Sequence, residues 1–236
     1  MLPDVIPRLA LLFALLPLSL RADAPNTLTA AEREAGWRLL FDGRTTEGWR
    51  SFRKNTFPSQ GWVVTNDTLR HLARGKGGDI ITTGTFSSYE FRFEWRMAGP
   101  GNSGIKYFIT EDRTSAIGHE FQILEPTPKE AADLAPHQRT AGFYDVLPTT
   151  TPPRVNPAGE WNSGRIVVRG TRIEHWVNGV QVLQYDLDSD AVRAGIARSK
   201  FRDVPGFGTT FPHHLLLQDH GGDIAFRNLK LRPLGR

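Results

Sequence analysis

In the run Tyr89-Glu90-Phe91-Arg92-Phe93-Glu94-Trp95-Arg96-Met97, apolar side chains take every odd position and charges every even one. A period of two belongs to a strand with one face in a core and the other in water. The run is therefore predicted as a strand, with Glu90, Arg92, Glu94 and Arg96 on its polar face. Gly99-Pro100-Gly101-Asn102-Ser103-Gly104 reads as a turn into a second run, Ile105–Ile109, and His119-Glu120-Phe121-Gln122-Ile123-Leu124-Glu125 repeats the alternation. So many carboxylates, guanidiniums and amides make the polar face of 89–125 the first candidate wall of a site.

The rest of the chain is read by the same signals. Thr29 with Glu32 forms a capping-box pattern that Gly36 ends, which predicts a short N-terminal helical turn. Strand-like runs follow at Trp37–Phe41, Gly61–Thr65, Thr68–Leu72, Arg165–Arg169, Arg172–Val177, Val180–Tyr185, His214–His220 and Ile224–Leu231. Asn66-Asp67 suits a tight hairpin, and Asn178-Gly179 is the strongest hairpin signal, since a type I′ turn needs positive φ at both central residues. Gly75-Lys76-Gly77-Gly78 lacks the Lys-Ser/Thr ending and following helix of a phosphate cradle and reads as a plain loop. Residues 126–157 have little periodicity; such stretches are more often functional loops than spacers, and this one carries His137, Tyr144 and Asp145. A polar stretch with helical character runs to Lys200. About a dozen short strands, with no repeat and no dividing linker, predict an all-β fold, a two-sheet antiparallel jelly-roll sandwich forming one domain over 25–236.

Composition sharpens this. The 236 residues include 23 Gly and 16 Pro, and 29 Lys and Arg against 25 Asp and Glu give a net charge of +4 with the signs interspersed. That argues against a nucleic-acid binder, whose cations cluster on one element. Arg8 followed by the apolar run Leu9–Leu20, too short to span a membrane, with Ala22-Asp23-Ala24 as a small-x-small site, predicts a signal peptide over 1–24 and export to the periplasm or beyond. Cleavage after Ala22 and an uncleaved anchor are the alternatives. The chain has no cysteine, which excludes a lipidated N-terminal cysteine, a disulfide framework and thiolate metal ligands.

Seven motifs fall in an order similar to that of the 3-keto-disaccharide hydrolase domain family. They are Leu40-Phe41-Asp42-Gly43 with Gly48-Trp49; Phe93-Glu94-Trp95-Arg96; Gly101-Asn102-Ser103-Gly104; Glu120-Phe121-Gln122-Ile123-Leu124; Gly159-Glu160-Trp161-Asn162; Glu174-His175-Trp176-Val177-Asn178-Gly179; and Leu217-Gln218-Asp219-His220-Gly221, closed by Phe226-Arg227-Asn228. The resemblance spans about residues 36–234. It implies a concanavalin A-like jelly roll, usually exported, that acts on glycosides already oxidised at C3.

A 3-keto group makes the C2 proton acidic, so the glycosidic bond can break by proton abstraction and elimination, with water adding afterwards. That route needs a base near C2, an acid near the leaving oxygen, and a cation, donor or metal ion at the enolate. Under this resemblance Glu94, Glu120 and His220 are the acid/base candidates, and Lys200 and Arg96 stabilise negative charge. Asn102, Gln122, Tyr144 and Gln218 are candidates for holding the sugar. Asp219-His220-Gly221-Gly222-Asp223 leaves open a divalent metal at His220, a general base, or a structural cap. His175 and Trp176 are assigned to the core and outer sheet. Two other functions stay open. Glu120 to Glu125 resembles the Glu-x-Asp-x-x-Glu signature of retaining jelly-roll glucanases, with Gln122 in place of the middle acid; a bulge would have to bring both glutamates to one face. A lectin-like module would instead stack sugars on Trp49, Trp161, Tyr107 and Tyr144.

Overall fold

The computed structural model describes residues 24–235. The leader reading of 1–24 therefore falls, apart from Ala24, outside the described residues. Helix α1 (Ala30–Glu34) is capped by Thr29, with Glu32 closing the capping box. Strands β1 (Arg38–Leu39), β2 (Trp49–Ser51), β3 (Trp62–Thr65), β4 (Thr68–His71), β5 (Ile80–Thr82), β6 (Tyr89–Met97), β7 (Gly101–Ile109) and β8 (His119–Glu125) follow. After α2 (Pro128–Asp133) and a 3-10 turn at Pro136–Gln138 come β9 (Asn162–Arg169), β10 (Arg172–Val177), β11 (Val180–Asp186), α3 (Asp190–Arg198), β12 (His214–Leu217) and β13 (Ile224–Pro233). Among the described residues no helix is long and apolar enough to cross a membrane.

The strands form two antiparallel sheets. The larger has the order β11-β10-β9-β6-β13-β4-β3, with β1 also on β13; the smaller has the order β2-β5-β12-β7-β8. The chain is an all-β jelly-roll sandwich. Both tight hairpins form as their residues require: Asn66 and Asp67 have φ of 49° and 56°, and Asn178 and Gly179 have 46° and 81°.

The core lies where the odd positions of β6 meet those of β7 and β8. The Phe121 ring stands edge-on to Phe93 at 5.3 Å and to Trp95 at 6.0 Å. Deeper in, the Tyr107 hydroxyl lies 2.7 Å from His175 Nε2 and 2.6 Å from the Tyr185 hydroxyl, while His175 Nδ1 lies 2.9 Å from the Ala141 carbonyl. Burial lowers the His175 pKa to about 4. The neutral ring donates to Ala141 and accepts from Tyr107, so this polar chain is satisfied without charge.

One expectation changes. The 99–104 stretch is not simply a turn, because Gly101–Gly104 already pairs with Glu125–Gln122 as the start of β7. Nor do β6 and β7 form a hairpin: the chain crosses between sheets there. The glycines serve close approach. A Cβ on Gly101 would meet Met97 Cε at 2.9 Å, and one on Gly104 would meet the Glu120 carboxylate.

Candidate active site

On the outer face of the smaller sheet, strand parity puts Asn102, Gly104 and Lys106 of β7 on one side, opposite Glu120 and Gln122 of β8. The free edge of β8 is covered by the loop that follows it: Ala141 N donates to Gln122 O at 2.8 Å, and Tyr144 N donates to Glu120 O at 3.1 Å. This brings Tyr144 to the rim. Ser189 caps α3 through Val192 N; just past its end Lys200 N donates to Asp145 Oδ2 at 2.8 Å, and Lys200 Nζ lies 4.6 Å from the centre of the Tyr144 ring. Gln218 N donates to Gly104 O at 3.0 Å, which sets Gln218 and His220 beside β7. These side chains line a cleft of about 320 Å³.

Glu120 is its central group. The residue is 6% exposed, and burial raises its carboxyl to about 7, with the Lys106 and Lys200 ammonium groups pulling it down and Asp79 adding to the rise. With its amide nitrogen turned toward the carboxylate, Gln122 donates to Glu120 Oε1 at 2.9 Å and to Ser103 O at 3.2 Å. Gln218 Oε1 is buried with no partner. Lys106 Nζ lies 3.9 Å from Asp79 Oδ2. Burial raises the Asp79 carboxyl, and Lys106 opposes that rise.

His220 is exposed at the mouth of the cleft, on a loop tied down on both sides. Asp219 N donates to Asp79 Oδ1 at 2.9 Å, and the Asp219 carboxylate takes Gly78 N and Gly221 N and faces His71 Nε2 at 2.9 Å. Asp223 is held by Arg70 through two bonds of 2.8 and 2.7 Å. Both aspartates are thus committed elsewhere, and among the described residues no group of three or more His, Asp or Glu side chains is arranged to hold a metal ion.

Seven of the nine candidates, Glu120, His220, Lys200, Asn102, Gln122, Tyr144 and Gln218, line this one cleft. Glu94 and Arg96 do not. They lie on the outer face of the larger sheet, where Glu94 accepts from Arg227 Nε at 2.6 Å and from Asn228 Nδ2 at 3.0 Å, and Arg96 lies over Trp161 at 4.8 Å. The Phe93–Trp95–Phe121 layer separates them from Glu120. The expectation of one wall over 89–125 is corrected accordingly: its polar positions divide between opposite faces of the sandwich. Lys106, Asp79 and Gly104 were absent from the candidates; the parity of Asn102, Gly104 and Lys106 is the signal that would have found two of them.

The geometry also bears on the alternatives. Pairing of β7 with β8 runs unbroken from Tyr107↔His119 to Gly101↔Glu125. Without a bulge Glu120 and Glu125, five apart, face opposite ways. Of the four proposed stacking aromatics, Trp49 and Tyr107 are buried in the core and Trp161 lies beneath Arg96 and Arg227, which leaves Tyr144 at the cleft.

The model of the 3-keto-alpha-glucoside-1,2-lyase-like domain matches residues 36–232. The chain belongs to that family. A 3-keto-disaccharide hydrolase from Bacteroides thetaiotaomicron is 28% identical to this family member, over 92% of this chain and 84% of the relative. A crystal structure of a candidate glycosyl hydrolase from Parabacteroides distasonis superposes with a TM-score of 0.80 at 27% identity, covering 90% of this chain and all of that one. A second from the same organism reaches 0.65 at 23% identity, over 84% of this chain and 99% of the other, and shares the fold.

Proposed function

We propose that the Glu120 cleft cleaves the glycosidic bond of 3-keto-glycosides by elimination. The observation that carries this reading is a buried carboxyl, raised to about 7, that shares a cleft with two lysines and an exposed histidine in a member of this family. Such a carboxyl is half ionised near neutrality and is a stronger base than one in water. The Glu120 carboxylate takes the proton from C2, and the C2–H electron pair forms the C2–C3 double bond of an enolate. Lys106 and Lys200 face the negative charge that collects on the C3 oxygen. The enolate re-forms the C3 carbonyl and expels the C1 substituent, whose oxygen takes a proton from His220, leaving a C1–C2 double bond conjugated to the ketone. Water adds its oxygen at C1 and gives a proton back to His220, while Glu120 returns the first proton to C2, which completes a net hydrolysis; without that addition the product is the unsaturated ketone. Asn102, Gln122, Tyr144 and Gln218, which line the same cleft, hold the sugar.

The reaction needs the ketone, so the test pairs a 3-keto-glycoside with its unoxidised parent. Release of the aglycone from the first alone supports the reading. Release from the parent at a comparable rate overturns it, and binding of both without turnover favours a lectin. We further propose that the enzyme is exported by the leader at 1–24. A mature N-terminus at Asp23 or Pro25 by mass spectrometry supports export, and an intact Met1 on all of the protein refutes cleavage.

A further inference from the structure

A turn is closed by one backbone bond, but the loop 219–222, which carries His220 to the mouth of the cleft, is gripped from three places. The first is the glycine loop 75–78, which reads as plain in the sequence. Gly78 has a φ of 74°, and a Cβ on Gly77 would stand 2.7 Å from both Gln60 O and Trp62 Cδ1, so positive φ and close approach call for glycine. Gly78 N donates to Asp219 Oδ2 at 2.8 Å, and Arg74 N donates to Gly221 O at 3.1 Å.

The second is His71, fully buried at the end of β4. Its Nδ1 lies 2.8 Å from the Gly222 carbonyl and its Nε2 lies 2.9 Å from Asp219 Oδ1, the latter a close contact without hydrogen-bond alignment. One ring thus spans the loop, with His220 between its two contacts. Gly221 N also donates to Asp219 Oδ1 at 3.0 Å. Burial works against the Asp219 charge, but the Gly78 and Gly221 N–H groups and His71 outweigh it, and the carboxyl stays below its ordinary range. The third is Asp79, which joins the loop to the cleft: its Oδ1 accepts from Asp219 N at 2.9 Å, and its Oδ2 lies 3.9 Å from Lys106 Nζ. Burial raises the Asp79 carboxyl; Lys106, the Asp219 N–H and His220 pull it down, and the Asp219 charge adds to the rise.

We propose that His71, Asp219 and Asp79 are positioning residues that hold His220 at the leaving oxygen, with Asp79 also fixing the loop's distance from Lys106. The proposal rests on the acid role given to His220 above. None of the three lines the cleft, so each acts through the loop rather than on the sugar. A general acid must stay within hydrogen-bond reach of the atom it protonates, and a misplacement of about 1 Å can cost about 10²-fold in rate. An exposed histidine followed by two glycines has little in its own loop to hold it there; the grip from β4, the glycine loop and Asp79 supplies that constraint.

Steady-state kinetics of the full chain on methyl and 4-nitrophenyl 3-keto-glucosides test it, because methoxide needs an acid to leave and 4-nitrophenolate does not. His220→Gln should lower kcat by about 10²-fold on the methyl substrate and by less than about threefold on the other. Asp219→Ala should reproduce that selectivity, with a loss of at least about tenfold on the methyl substrate and KM little changed. Asp79→Ala should do the same. Asp79→Asn, which keeps an oxygen for Asp219 N, should return the ratio of the two rates to that of wild type; it should also move the acid limb of the pH profile downward, because the Asp79 charge adds to the rise of Glu120. A grip that served stability alone would lower the melting temperature with no selectivity between leaving groups. Should Asp219→Ala fail to fold on a melting curve, Asp219→Asn, neutral toward His71, should show the same selectivity at about threefold. Selectivity in His220→Gln but in none of the folded Asp219 and Asp79→Ala variants would overturn the proposal and leave the acid role standing. Its absence in His220→Gln would remove the acid role, and the proposal with it.

Discussion

Glu120 and Gly104 are packed so closely that a Cβ at residue 104 would stand 2.5 Å from Glu120 Oε1 and 2.9 Å from its Cγ. The glycine is the space in which the carboxylate lies. Gly104→Ala should displace the carboxylate, lowering kcat by about tenfold or more and costing about 1–3 kcal/mol through overpacking. Steady-state kinetics and a melting curve on one preparation check both, and an unchanged kcat would show that the carboxylate position does not matter to turnover.

Glu120→Gln removes the proposed base and a buried charge together. Turnover should fall by about 10²–10⁴. Because the folded pKa of Glu120 is raised to about 7 from 4.5, the folded state holds this proton more tightly than the unfolded chain does. Stability from this group is therefore lost as pH rises from about 4.5 to 7, by an upper bound of roughly 3 kcal/mol. Buried His175 and His213, both lowered to about 4, act in the opposite direction, so the group is isolated by the difference between wild type and variant. The melting temperature of Glu120→Gln should gain on wild type between pH 5 and 7.5.

Lys106 is the largest influence holding the Glu120 pKa down, ahead of Lys200. If Glu120 is the base, the acid limb of the kcat/KM profile rises through an apparent pKa near 7. Lys106→Met should move that inflection upward and lower the maximum, and Lys200→Met should do the same to a smaller extent. An inflection that stays in place in both variants would detach the profile from Glu120.

Glu94 is bound to Arg227 and Asn228 on the far face. Glu94→Gln should leave turnover within about twofold, with a stability cost of about 1 kcal/mol for a partly exposed pair. A hundredfold loss of kcat would contradict the separation of the two faces.

Tyr107→Phe removes the hydroxyl that links His175 to Tyr185. Leaving buried polar groups unpaired costs about 1–3 kcal/mol, or a fall in melting temperature of about 2–4 °C per kcal/mol at this size. A melting temperature unchanged within a degree would show that the buried chain re-pairs without the hydroxyl.

Much of this architecture is local and therefore legible in order along the chain. Alternation in 89–97 and 119–125 marks both strands and their faces, Thr29 with Glu32 marks the first helix, and Asn178-Gly179 marks its hairpin. These depend on backbone geometry over a few residues. Alternation says which side chains share a face of a strand, and nothing about which sheet the strand enters. Glu94 and Glu120 carry the same signal, yet β6 pairs with β9 and β13 while β8 pairs with β7, so their outer faces point away from each other across an aromatic core.

The site is built from pairings at long range. Glu120 meets Lys106 across a ladder, Gln218 reaches Gly104, and Lys200 is fixed by Asp145. Gly101–Gly104 reads as a turn because glycine weakens strands, whereas its role is to admit the Glu120 carboxylate, a neighbour sixteen residues away. The sequence alone determined the strands, their polar faces and most of the cleft's side chains. Tertiary structure decided which polar face became the cleft, because sheet order follows from distant hydrogen bonds and the packing of the two aromatic faces, and neither is written in the period of a single strand.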